Sequence, residues 1–314
     1  MSNLLVTGGT GFVEPMKILL LGRRGQVGWE LQRALAPLGD LTVLGRERGN
    51  GLSLDLENPD DLGRVVRRFE PRIIVNAAAY TDVERAETEP DRAERINAEA
   101  PRILAAEAAR LGALLVHYST DYVFDGSGTT PWREDDTPAP LNVYGATKWR
   151  GEQVIRDSGC RYLIFRTQWV YAARGENFIR KILRLAAERD TLEVVDDQHG
   201  APTGAELIAD VTAHALRLAT ARDGPSGTYH LAARGETTWH AYARFIVEEA
   251  RRAGRPVRVS DAGIVPVATE AFPTRARRPR NSRLSVDRLE QTFGLRLPDW
   301  RLGVARALAE STGK

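Results

Sequence analysis

Short apolar runs alternate with longer stretches of helical period from Lys17 to about Arg166. The apolar runs fall at residues 17–21, 41–44, 72–75, 113–119 and 161–167 and predict strands. Intervening segments such as 90–111, rich in Ala, Glu and Arg with apolar residues three and four apart, predict helices that cover the faces of a sheet. This alternation is the signature of βαβ units, so an α/β protein with a doubly wound parallel sheet is expected. Beyond Val170 the pattern loosens into mixed helices and short strands, with turn signals at Gly224-Pro225, Arg255-Pro256 and Arg278-Pro279. The expected division is a dinucleotide-binding-type domain over 16–170. A smaller mixed α/β domain over 171–314 mainly serves the substrate, and some of its segments return to the first domain.

The first fifteen residues do not fit this scheme. Leu4-Leu5-Val6-Thr7-Gly8-Gly9-Thr10-Gly11 reads as a strand and glycine loop, but it stops at Glu14-Pro15, and a complete unit begins at Met16. One sheet does not easily hold two first strands, so 1–15 is expected to be an atypical extension, disordered or packed on the surface, with an added edge strand as the alternative.

Composition narrows the function. Lys+Arg number 44 and Asp+Glu 42 in 314 residues, a formal net charge of +2. Nucleic-acid binding needs a concentrated basic face, so no nucleic-acid partner is expected. The single cysteine, Cys160, excludes an intramolecular disulfide and a cysteine zinc cluster and suits a reducing compartment. No apolar run has the length of a membrane helix and no secretion signal stands at the N-terminus. A cytoplasmic protein without a membrane partner is expected.

Gly22-Arg23-Arg24-Gly25-Gln26-Val27-Gly28 follows the first strand directly and opens a helix. Glycines so spaced allow a tight turn and close backbone approach, while the helix start offers free N–H groups to a pyrophosphate, the Rossmann arrangement. At the end of the second strand stands Arg46, where an NAD-type site usually has an acid. With Arg23 or Arg24 it could hold a 2′-phosphate, which argues for NADPH, with NADH as the second carrier; a solvated arginine pair is the alternative. Asp55, beside Leu56, is placed either to meet the adenine or to cap a helix. The small residues Ala77, Ala78 and Ala79 let a flat cofactor lie close.

Tyr144 and Lys148 stand four apart on a segment that Asn142 can cap, which puts them on one helix face. An ammonium beside a phenol is expected to lower its pKa, and such a tyrosine can protonate a carbonyl oxygen as hydride reaches the carbon. Thr120, ending the fourth strand within His117-Tyr118-Ser119-Thr120-Asp121-Tyr122, can hold that carbonyl.

These segments, with Asn76-Ala77-Ala78-Ala79-Tyr80-Thr81, Arg166-Thr167-Gln168-Trp169-Val170-Tyr171 and Arg278-Pro279-Arg280-Asn281-Ser282, resemble the extended short-chain dehydrogenase/reductases. Within them the resemblance is to the dTDP-4-dehydrorhamnose reductase family, from Met16 to near the C-terminus. It implies reduction of the C4 ketone of dTDP-4-dehydro-β-L-rhamnose, with Thr120, Tyr144 and Lys148 catalytic and a nucleotide sugar as partner. The implied cofactor contacts are Gly22, Arg24, Gly25, Gln26, Val27, Gly28, Arg46, Asp55, Leu56, Ala78, Ala79 and Tyr80, with Tyr144 and Lys148. The implied substrate contacts are Thr81, Val83, Thr120, Asp121, Tyr122, Trp169, Arg278 and Asn281. The arginine-rich turn from Arg275 to Arg283 is a candidate diphosphate clamp. Family members can form homodimers assisted by Mg²⁺ held by glutamates, and Glu30 and Glu206 occupy matching positions.

The basic glycine loop and Gln168, where a small hydroxyl residue is common, depart from the family pattern. Rival readings share parts of the site. A sugar-nucleotide 4,6-dehydratase needs Asp-Glu after the Thr, whereas Asp121 is followed by Tyr122. Two further rivals are a non-catalytic NADP-binding protein, like the regulatory subunit of methionine adenosyltransferase, and a dihydrostreptose-type ketosugar reductase.

Overall fold

The structure, a computed structural model, describes residues 16–46, 54–221 and 223–310. The expectation for the extension 1–15 lies outside the described residues. The chain runs β1 (Lys17–Leu21), α1 (Gln26–Leu35), β2 (Asp40–Leu44), α2 (Pro59–Phe69), β3 (Ile73–Asn76), α3 (Val83–Ala86), α4 (Pro90–Glu94), α5 (Ala100–Leu111), β4 (Leu114–Thr120), α6 (Val143–Asp157) and β5 (Arg161–Thr167). It continues through β6 (Val170–Tyr171), α7 (Phe178–Glu188), β7 (Leu192–Val195), β8 (His199–Gly200), β9 (Thr203–Gly204), α8 (Ala205–Ala219), β10 (Gly227–His230), β11 (Thr237–Thr238), α9 (Trp239–Arg252), β12 (Ile264–Val267), α10 (Asp287–Phe293) and α11 (Trp300–Glu310).

Six strands form one parallel sheet in the order β10-β5-β4-β3-β1-β2. Strand alternation divides its side chains between two layers. Ile18, Leu20, Ile73, Val75, Val116 and Phe165 face Leu31 and Leu35 of α1 and Ile208 and Ala215 of α8. Leu19, Leu21, Ile74, Leu115 and Ile164 face Leu62 and Val66 of α2 and Leu104 and Ala108 of α5. Each strand is therefore apolar on both sides, as a parallel sheet covered on both faces requires. Because β1 lies between β2 and β3, the connections leave it in opposite directions and a crevice opens beyond the strand ends, the usual ligand position in such sheets.

A third apolar cluster joins Ile179 and Ile182 of α7, Tyr242 and Ile246 of α9 and Trp300 and Val304 of α11 with Leu192 of β7 and Ile264 of β12. Two later segments belong to the sheet instead. Helix α8 lies on its α1 side, and β10 extends its edge beside β5, Gly227 opposite Leu163 and His230 opposite Arg166.

One local distortion positions the site. Residues Arg95–Glu99 form a π-helical turn between α4 and α5. It presents the buried Asn97, whose Oδ1 accepts from the Tyr80 N–H at 2.9 Å and whose Nδ2 donates to the Tyr80 carbonyl and to Thr147 Oγ1, each at 3.1 Å. The loop after β3 is thereby fastened to α6. Gly151 permits this approach, since a Cβ there would lie 2.2 Å from the Asn97 carbonyl oxygen.

Candidate active site

The crevice beyond β1 and β3 holds a cavity of about 1030 Å³. Its floor is the glycine loop. Gly22 has φ +103°, and a Cβ on it would stand 2.7 Å from the Ala77 carbonyl, so the turn closes only without a side chain. A Cβ on Gly28 would meet the Gly22 carbonyl oxygen at 2.0 Å, so α1 packs directly on that turn. Gly25 precedes α1 and places no capping side chain over its first turn, leaving those N–H groups available to an anion. A backbone cradle with the helix start uncovered fits a dinucleotide pyrophosphate.

Gly22, Arg24, Gly25, Gln26, Arg46, Asp55, Leu56, Ala78, Ala79, Tyr80 and Thr81 all line the cavity. Val27, Gly28, Tyr144 and Lys148 are not in its wall. Asp55 does not cap α2: its Oδ1 accepts from the Glu57 N–H at 3.1 Å, while the Asn58 side chain accepts from the Asp61 N–H. Sequence reasoning missed Trp29, Ala172, Arg174 and Gly175, which also line the cavity. Trp29 lay one helical turn past Gly25, a visible signal, but the 172–175 segment enters from far along the chain and carries no motif.

Thr120, Tyr144 and Lys148 assemble at the strand ends near this crevice. Asn142 caps α6 by accepting from the Gly145 N–H at 2.8 Å, which sets Tyr144 and Lys148 on one face. Gly145 packs against the Tyr122 carbonyl, where a Cβ would come within 2.1 Å, so α6 starts tight against the end of β4. The Tyr122 and Tyr144 rings meet edge to face at 5.8 Å. Lys148 is buried, its Nζ donating to the Tyr118 carbonyl at 2.5 Å and lying 3.2 Å from His117 Nε2.

The electrostatics correct one expectation. Burial pushes the Tyr144 hydroxyl up to about 12, opposed by the Thr120 hydroxyl, and the expected lowering by Lys148 is not what dominates. Lys148 is itself drawn down to about 8 by burial, with Glu152 opposing. Lys148 is buried and Tyr144 half-buried, and the ammonium turns to a carbonyl and an imidazole instead of the phenol. Asp121 is buried beside Thr120, whose hydroxyl donates to its Oδ1 at 3.2 Å, and burial raises it to about 7. Beneath lies a buried ion pair, Arg166 Nη2 to Glu152 Oε2 at 2.7 Å, to which Ser119 Oγ donates at 2.6 Å.

The remaining sequence-derived substrate positions lie around this cluster and outside the cavity wall. Val83 opens α3. Trp169 has φ +45°, a strained backbone for a non-glycine residue, and its ring stacks on Trp239 at 3.8 Å. Gly200 leaves room for it, since a Cβ would fall 2.7 Å from the indole. Arg278 pairs with Glu84 at 3.1 Å. Asn281 is buried, both of its amide hydrogens taken by the Ser127 and Thr130 carbonyls at 3.1 and 2.9 Å. In the arginine-rich turn, Arg280 pairs with Glu270 and Arg283 with Glu236.

Glu30 and Glu206, the pair expected to hold Mg²⁺ between two protomers, belong to no larger group of candidate ligands within the one chain described. Among the described residues no group of three or more His, Cys, Asp or Glu side chains could hold a metal. Glu30 lies 3.6 Å from Arg33. The Glu206 carboxyl is raised by burial, with Glu30 and Glu310 adding and Arg306 opposing. Nothing within the described residues therefore supports the expectation of Mg²⁺.

Residues 16–312 match the family model described as the RmlD substrate binding domain. A dTDP-4-dehydrorhamnose reductase of Shigella flexneri is 52% identical over 295 residues, 94% of this chain and 98% of its own. The chain belongs to the dTDP-4-dehydrorhamnose reductase family. A reductase of that name from Escherichia coli K12 shows the same identity and coverage. Among solved structures of the family, a Bacillus anthracis dTDP-4-dehydrorhamnose reductase in complex with NADP is 34% identical and superposes with a TM-score of 0.83, covering 95% of this chain and 99% of the other.

Proposed function

We propose that the protein reduces the C4 ketone of dTDP-4-dehydro-β-L-rhamnose to dTDP-L-rhamnose with NADPH. The observation that carries this is 52% identity over 94% of the chain to reductases of that name. NADPH bound in the crevice supplies a hydride to C4. Its pyrophosphate is assigned to the loop from Gly22 to Gly28, its adenine to Asp55 and Leu56, and its flat rings to Ala78, Ala79 and Tyr80. Arg46, with Arg23 or Arg24, is assigned to the 2′-phosphate. All of these except Val27 and Gly28 line the cavity.

Thr120, Tyr144 and Lys148 are the catalytic set in this reading. A hydroxyl held at about 12 reaches neutral pH fully protonated, so Tyr144 has its proton ready for the ketone oxygen. Thr120 turns its hydroxyl from Asp121 to the same oxygen. Lys148, on the Tyr144 face of α6, offers positive charge to the phenolate left behind. Thr81, Val83, Tyr122, Trp169 and Arg278 surround the sugar nucleotide. Residues 16–170 bind the dinucleotide and 171–314 mainly the substrate, with α8 and β10 returning to the sheet. A cytoplasmic homodimer completes the reading.

The test follows absorbance at 340 nm with NADPH and the ketosugar, generated in situ from dTDP-glucose by a dehydratase and a 3,5-epimerase. Oxidation that needs the complete mixture and yields dTDP-L-rhamnose is expected. NADPH binding without oxidation would overturn the substrate assignment.

A further inference from the structure

Trp29 is a large aromatic residue left 46% exposed, and it stands in the first turns of α1, immediately after the glycine loop. The guanidinium of Arg174 lies over its ring at 3.7 Å from the centroid, and both residues line the dinucleotide-sized cavity. Arg174 comes from the segment between β6 and α7, on the far side of the sequence from the cradle. Two contacts hold the backbone of that segment: Asn177 Nδ2 donates to the Ala172 carbonyl at 2.6 Å and Arg180 Nη2 to the Ala173 carbonyl at 2.9 Å. Gly175, with φ +74°, supplies the turn that follows.

We infer that Arg174, its guanidinium held over the Trp29 ring, is a cofactor-binding residue that covers the dinucleotide pyrophosphate from the C-terminal part of the chain. Position decides which part of the cofactor it meets. A pyrophosphate is held at the start of the helix after the glycine loop, and Trp29 fixes the guanidinium above that helix end, whereas the 2′-phosphate is expected at Arg46 beyond β2. Stacking on an aromatic face fixes the plane of the guanidinium while leaving its N–H fork free to meet phosphate oxygens. The pair thus pre-orders a flexible side chain and gives an exposed tryptophan a role. The inference rests on the reading of the cavity as the dinucleotide site.

The experiment measures dissociation constants of NADPH and NADH from their fluorescence on binding, for the wild type, Arg174→Ala, Arg174→Lys, Trp29→Ala, Trp29→Phe and the double alanine variant. Arg174→Ala is expected to weaken both cofactors by about tenfold, and the loss shrinks at high ionic strength because the charge is exposed. Trp29→Ala weakens both by roughly threefold and Trp29→Phe restores most of it, since any aromatic face orients the cation. The double variant is no weaker than Arg174→Ala alone. Unchanged affinity of Arg174→Ala for both cofactors would overturn the inference, and a loss confined to NADPH would reassign Arg174 to the 2′-phosphate and overturn it equally. If the wild type binds neither cofactor, the dinucleotide reading fails and this inference with it. Both side chains are on the surface, so unchanged melting temperatures separate binding from folding.

Discussion

The crevice proposed for the cofactor and the cluster proposed for the reaction lie side by side but are built in different ways. The crevice floor is backbone: Gly22 and Gly28 remove side chains so that β1, β3 and α1 touch, and the cations Arg46 and Arg174 stand exposed at its rim. The cluster is built mostly of buried polar side chains: Arg166 pairs with Glu152, Lys148 meets His117 and the Tyr118 carbonyl, and Asp121 accepts from Thr120. Backbone cradles bind by geometry that exists before the ligand arrives. Buried polar clusters instead shift proton affinities, at the risk that one lost partner leaves another group unpaired.

That difference sets the order of the expected effects. Glu152→Ala strands the buried Arg166 guanidinium and should cost about 3–5 kcal/mol of stability, read as a lowered denaturation midpoint; a change below about 1 kcal/mol would mean that the cluster is not a supporting network. Arg46→Ala, at the rim, should leave the midpoint unmoved. It should raise KM for NADPH on the order of tenfold, a charge-assisted hydrogen bond being worth roughly 1.5–3 kcal/mol, and should scarcely alter KM for NADH. Equal effects on both would remove the 2′-phosphate assignment.

A finer test uses Asp121. Its folded value of about 7 stands above the ordinary 3.8 because of burial. Between those values the folded state keeps a proton that the unfolded chain has released, so this group's contribution to stability is full at acid pH and is lost as pH rises through about 7. Asp121→Asn should flatten the decline of melting temperature from pH 4 to 7, and an unaltered slope would show the carboxyl to be ordinary. The smallest expected effect is removal of residues 1–15, which should leave turnover and solubility intact; a collapse of either would make the extension part of the fold.

Legibility followed the same division. Strand ends and the glycine loop were readable because they obey short-range rules: alternation, turn residues and the spacing of Gly22, Gly25 and Gly28. Asn142 as a helix cap and the shared face of Tyr144 and Lys148 were equally local. The segment carrying Arg174 and the Asn97 clamp were not readable, since each depends on chain segments brought together only by folding. The edge strand β10, four residues after a turn-rich stretch, had too little periodic pattern to stand out. The proton affinity of Tyr144 is not legible in the sequence, which shows which charges are near in the chain, whereas burial, the larger influence here, is a property of the packed whole.

Binding and reaction should be separable between these two regions, which NADPH affinity and turnover of Tyr144→Phe, measured on the same preparation, will decide. Affinity within about twofold of wild type and turnover lower by roughly 10²–10⁴, the usual contribution of a general acid, are expected. Near-normal turnover would contradict the proton-donor assignment, and an equal loss of affinity would contradict the separation.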